Sequence, residues 1–156
     1  MEINVIINGK RKILTIEPNE LLIDVLRKEG YKGVKRGCME GECGSCTIIL
    51  NGRAVKSCIM FAAQAHEGSI TTIEGIGTRE NPHPLQQAFV DEGAVQCGFC
   101  IPGIIISAKA LLDRNPSPTK DDVKRALDGN LCRCTGYSGQ LKAVLNAAAM
   151  MRGEKQ

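Results

Sequence analysis

The chain has 156 residues, a formal charge of +3, 43% hydrophobic and 24% charged residues, and only three Phe, two Tyr and no Trp. Such a composition is that of a globular protein with room for one ordinary domain or two small ones, and so few rings argue against a nucleic-acid-stacking surface and against a core built on aromatic burial. No stretch approaches the roughly 20 apolar residues of a membrane span, and Met1-Glu2-Ile3-Asn4-Val5 does not open an export signal, so the sequence predicts a cytoplasmic location.

In chain order, Ile3, Val5 and Ile7 alternate as one face of a strand, Asn8-Gly9 supplies a hairpin turn, and residues 11–16 form the returning strand. Pro18-Asn19 then opens a segment in which Leu21, Leu22, Val25 and Leu26 recur at helical spacing, with Gly30 suited to its C-terminal end. After a glycine-rich cysteine loop, residues 47–50 and 53–58 are β-type runs joined by a second Asn-Gly turn, and residues 70–73 close the sheet. Residues 75–84, with two glycines and two prolines, read as a linker. Beyond it four helical patterns follow, at residues 85–92, 102–113, 119–128 and 138–151. Pro102 suits a first helical turn, Thr119 an N-cap and Gly129 a helix end. The predicted class is α+β, a small sheet crossed by one helix in residues 1–76 and an all-α unit in residues 77–156.

Eight cysteines in a chain without an export signal point to metal rather than to four disulfides. Cys38, Cys43, Cys46 and Cys58 give Cys-x4-Cys-x2-Cys-x11-Cys, the first three at the plant-type [2Fe–2S] spacing. Soft thiolates suit iron and bridging sulfide, and a wrapped loop can bring three of them to one place while Cys58 arrives from the end of the second hairpin. A structural zinc site usually takes its thiolates as two close pairs, which fits this set poorly. Gly37, Gly41 and Gly44 permit tight turns that expose backbone N–H groups toward the sulfurs, whereas Lys35 and Arg36 fit a solvated basic pair as well as a thiolate partner. The second set, Cys97-x2-Cys100 and Cys132-x-Cys134, falls in two interhelical turns that can converge at one end of a bundle, and its spacing alone leaves zinc and [2Fe–2S] open. An oxidised cluster with four thiolates carries about −2, so two of them would turn the bare charge into roughly −1 and remove the apparent basicity.

Three motifs resemble the iron–sulfur subunit of the molybdenum hydroxylases, the xanthine oxidase family. They are Gly37-Cys38-Met39-Glu40-Gly41-Glu42-Cys43-Gly44-Ser45-Cys46-Thr47, Gln96-Cys97-Gly98-Phe99-Cys100-Ile101-Pro102-Gly103 and Gly129-Asn130-Leu131-Cys132-Arg133-Cys134-Thr135-Gly136-Tyr137. The likeness spans nearly the whole chain, with all eight ligand positions filled; Ile101, where relatives commonly have threonine, is the main departure and touches no ligand position. The resemblance implies a plant-ferredoxin-like β-grasp domain followed by a four-helix domain, each with one [2Fe–2S] cluster. It implies a large subunit carrying molybdopterin and a medium subunit carrying FAD, often with the set duplicated, and a chain ending here matches the separate-subunit arrangement. It further implies that Gln96 and Cys134 contact the pterin.

No nucleophile–base pair and no phosphate-binding glycine loop is legible, so catalysis by this chain alone is not expected. His66 reads as a surface residue, His83 as a linker residue, and Glu40 and Glu42 as solvated loop carboxylates. The expected function is an electron relay between molybdenum and FAD; a free-standing ferredoxin-type carrier is the alternative, which leaves the helical half unexplained. The substrate is not legible, because selectivity would lie in the large subunit.

Overall fold

The structure, a computed structural model, describes residues 1–154. Strands β1 (Glu2–Ile7) and β2 (Lys10–Thr15) pair antiparallel, with Ile7 opposite Lys10 across a two-residue turn. Asn8 and Gly9 both have positive φ, 50° and 79°, the mirror-image turn whose twist matches that of the strands. Helix α1 (Leu22–Lys28) follows and ends against Gly30 at φ 95°. Strands β3 (Thr47–Leu50) and β4 (Arg53–Lys56) repeat the hairpin device at Asn51-Gly52, and β5 (Ser69–Thr71) inserts between β1 and β3. The order is β2-β1-β5-β3-β4, mixed because β1 and β5 run parallel.

Two expected strand ends differ from the structure. Ser57–Ile59 and Ile73–Gly75 are 3₁₀ turns, so Cys58 is delivered by a tight turn after β4, not by the strand itself. That turn rotates the thiol inward, where it is buried.

The sheet buries Ile3, Val5 and Ile7 from alternate positions of β1 against Leu22, Ile23, Val25 and Leu26 of α1. On β3, Ile48 joins that core, while its neighbour Ile49 points to the other face and meets Ile106 and Ala110. Those two residues belong to α3 (Ile101–Arg114), so β3 is covered on both faces.

The remaining helices are α2 (Pro84–Asp91), α4 (Lys120–Leu127) and α5 (Ser138–Met151). With α3 they share a core of Leu85, Phe89, Ile104, Val123, Val144 and Ala147, separate from that of the sheet. Thr119 caps α4 as expected, its hydroxyl accepting the Asp122 N–H at 3.2 Å. Gly129 does not terminate α4 through a left-handed conformation; a side chain there would meet Lys56, whose ammonium donates to the Gly129 carbonyl. No helix among the described residues is long and apolar enough to cross a membrane.

Candidate metal centres

The loop between α1 and β3 turns back on itself through Met39, Gly41 and Gly44, all at positive φ. Cys38 and Cys43 meet there: the Cys38 Sγ accepts backbone N–H groups from Glu40 (3.4 Å) and Cys43 (3.3 Å), and the Cys38 N–H donates to the Cys43 Sγ at 3.4 Å. A Cβ on Gly37 would sit 2.6 Å from the Cys43 Sγ, so only glycine allows that sulfur its place. The N–H groups of Cys43 and Glu40 bring the Cys38 thiol down to about 7. Cys46, at the foot of β3, and Cys58 are the two buried thiols of this set; burial, and then the neighbouring Cys46 sulfur, push Cys58 up to about 11.

The helical half repeats the scheme. Cys97 lies in the turn after α2, Cys100 immediately precedes α3, and Cys132 and Cys134 occupy the turn between α4 and α5. The exposed thiols of Cys97 and Cys134 are 3.7 Å apart, and the buried Cys100 pairs with Cys132. Burial opposes ionisation of Cys132, but the Thr135 hydroxyl, which donates to its Sγ at 3.2 Å, and the N–H groups of Cys134 and Thr135 bring it to about 7. Burial pushes Cys100 up to about 12. The Gln140 amide donates to the Cys100 Sγ at 3.8 Å, a contact absent from the sequence expectations.

This two-plus-two arrangement bears on which metal the thiols suit. Tetrahedral coordination at the ~2.3 Å of a metal–thiolate bond separates two sulfurs on one ion by roughly 3.8 Å, which the Cys97–Cys134 distance of 3.7 Å matches. Structural zinc needs four donors around one ion. A [2Fe–2S] cluster takes two thiolates on each iron, so two pairs per set fit it.

Six of the eight thiols, those of Cys38, Cys43, Cys97, Cys100, Cys132 and Cys134, open onto one cleft of about 730 Å³ beside Phe99 and Leu131. The sets are tied together behind it. The Leu131 N–H donates to the Cys43 carbonyl at 2.9 Å, joining the residue before one ligand to another ligand. Buried Asn130 donates to the carbonyl of Gly44 (3.2 Å) and accepts the Ser107 hydroxyl (2.7 Å). The Lys35 ammonium lies 5.5 Å from the centre of the Phe99 ring.

Gln96 and Cys134 are brought together, the Gln96 amide donating to the Cys134 carbonyl at 3.1 Å on an exposed surface. Arg36 pairs with Asp24 and not with a thiol. His66 accepts the Asn4 N–H at the surface, and His83 proves to be an N-cap, its Nδ1 accepting the Leu85 N–H at 3.1 Å.

Residues 5–70 match the family described as "2Fe-2S iron-sulfur cluster binding domain", and residues 72–145 match "[2Fe-2S] binding domain". The nicotinate dehydrogenase small FeS subunit of Eubacterium barkeri is 53% identical over 136 residues, 86% of this chain and 87% of that one. Among solved structures, quinoline 2-oxidoreductase from Pseudomonas putida superposes with a TM-score of 0.91 at 43% identity, over 99% of this chain and 98% of that one. The aldehyde oxidoreductase of Desulfovibrio desulfuricans gives 0.97 at 48% identity over 99% of this chain, which spans only 18% of that longer one.

Proposed function

Because the chain belongs to the family of iron–sulfur small subunits of the molybdenum hydroxylases, we propose that its two thiol sets are successive electron stations, the helical one facing molybdenum and the sheet-borne one facing the outlet. The chain is the iron–sulfur subunit of an oxidoreductase, and its work is electron transfer. We assign Cys38, Cys43, Cys46 and Cys58 to the first [2Fe–2S] cluster and Cys97, Cys100, Cys132 and Cys134 to the second. We divide the chain into a plant-ferredoxin-like β-grasp domain, residues 1–76, and a four-helix domain, residues 77–156, working in the cytoplasm.

A [2Fe–2S] cluster, when bound, accepts and releases one electron at a time. The chain's residues supply the rest. N–H groups of Glu40 and Cys43 and the Thr135 hydroxyl stabilise thiolates at Cys38 and Cys132, while buried Cys46, Cys58 and Cys100 keep water from the inner side of each site. The hydrogen bond from Leu131 to the Cys43 carbonyl gives a route between ligand segments that does not cross solvent.

Gln96 and Cys134 form the contact to a molybdopterin held by a large subunit. Cys97 and Cys134 are exposed, and Val95, Phe99 and Leu131 leave apolar surface around them, as a docking face requires. A medium subunit carrying FAD would take electrons from the first cluster, in a hetero-oligomer with the set duplicated.

The observation that carries the assignment is the pairing of thiols two by two. It is tested by metal and sulfide analysis of anaerobically prepared protein. Four iron and four acid-labile sulfide per chain are expected; about two of each, or zinc without sulfide, would overturn it.

A further inference from the structure

Gln140 occupies the third position of α5, where a glutamine ordinarily reaches back to cap its own helix. Here it does not: Tyr137 receives no side-chain cap, and its N–H goes to the Thr135 hydroxyl instead. The Gln140 side chain turns into the protein, where the residue is 0% exposed, and its Nε2 lies 3.8 Å from the Cys100 Sγ. Its Oε1 is buried without any hydrogen-bond partner, the one such side-chain atom among the described residues.

The direction of this amide follows from the sulfur's chemistry. A ligating thiolate only accepts, so the amide must present its N–H to Cys100 and leave the carbonyl facing hydrocarbon. A buried carbonyl without a donor is a cost that leucine, of similar size, would avoid. The residue therefore weakens the apoprotein locally while supplying a donor to one sulfur.

We infer that Gln140 is a positioning residue that raises the reduction potential of the second cluster, by holding an N–H donor against the Cys100 sulfur. Reduction adds one electron and no proton, taking the site from about −2 to about −3, and a donor aimed at sulfur favours the more negative state in a dry surrounding. The first site differs: the donors placed against its Cys38 sulfur are backbone N–H groups, which side-chain substitution does not remove. Sequence variation at Gln140 thus gives a way to set one potential without moving the other. The inference rests on the assignment of the second cluster made above.

The test is a redox titration of the full chain with both clusters, each followed by its own EPR signal, together with thermal unfolding of the metal-free chain. Gln140→Leu is expected to shift the second cluster's reduction equilibrium roughly tenfold toward the oxidised form, about 59 mV to the negative for a one-electron couple. The first cluster should stay in place, and the metal-free chain should unfold at an equal or higher temperature. If Gln140→Leu does not load, Gln140→Asn, which withdraws the donor by one methylene, is expected to show the same shift. An unchanged second potential in the variant that loads, or an equal shift of both clusters, overturns the inference while leaving the cluster assignment intact. A wild-type chain holding only two irons overturns both.

Discussion

Cys38 and Cys132, brought to about 7, contrast with Cys58 and Cys100, pushed up to about 11 and about 12. In the metal-free chain, alkylation by iodoacetamide should therefore inflect near pH 7 at Cys38 and Cys132 and stay slow at Cys58 and Cys100 through pH 9, as read by mass spectrometry. The linkage has a sign. Where folding lowers a thiol below its ordinary 9.0, as at Cys38, the stability it adds is present above that value and lost as pH falls through 7. A common pH profile at all four thiols would contradict this. Gln96 gives a second test at this scale: if it makes the proposed pterin contact, Gln96→Ala should leave both clusters assembled, yet slow their reduction by substrate in the assembled complex, with reduction from the proposed flavin side unchanged in rapid-freeze EPR. Equal slowing from both sides would remove Gln96 from the route. That the eight cysteines fall into two sets of four was legible in the spacing, because the loops and turns that carry them are local. Their partnership was not: Cys97 joins Cys134 and Cys100 joins Cys132 across more than thirty residues, and only the packed turns decide that crossing. Gln140 was illegible for a related reason, since glutamine in a first helical turn reads as a surface cap.

Between elements, the joint of β3 with α3 and with the turn before Cys132 is built from few groups. Asn130→Ala removes a buried donor to Gly44 and strands the Ser107 hydroxyl. A cost of about 1–3 kcal/mol is expected, measurable as a lower denaturation midpoint in urea. Ile106→Ala, emptying the contact with Ile49, should cost about 2–5 kcal/mol. If neither moved the midpoint, the joint would not contribute to stability. Both Asn-Gly hairpins and the four C-terminal helices were readable, because turn chemistry and 3.6-residue periodicity act within a few residues. The 3₁₀ turn carrying Cys58 and the cap made by His83 were not, since each depends on where neighbouring segments end.

For the whole molecule, cores of modest size suggest that the clusters contribute folding energy as well as redox chemistry. Cys46→Ser, with its side chain buried at the foot of β3, should lower the thermal transition of the sheet-bearing half by roughly 4–8 °C for each kcal/mol lost, with the helical half less affected. An unchanged transition would leave the first cluster an electronic role alone. The seam between the halves carries a further consequence. A Cβ on Gly103 would lie 2.2 Å from the Gly44 carbonyl oxygen, and one on Gly44 would lie 2.3 Å from that of Gly129. Main chain rests on main chain there, one residue from Cys43, three from Cys100 and three from Cys132. Flexible side chains can yield under thermal motion; abutting peptide groups act as a fixed spacer. Because tunnelling falls off exponentially with separation, that spacer would hold the hop between clusters to one narrow range of rates, whatever substrate the rest of the complex oxidises.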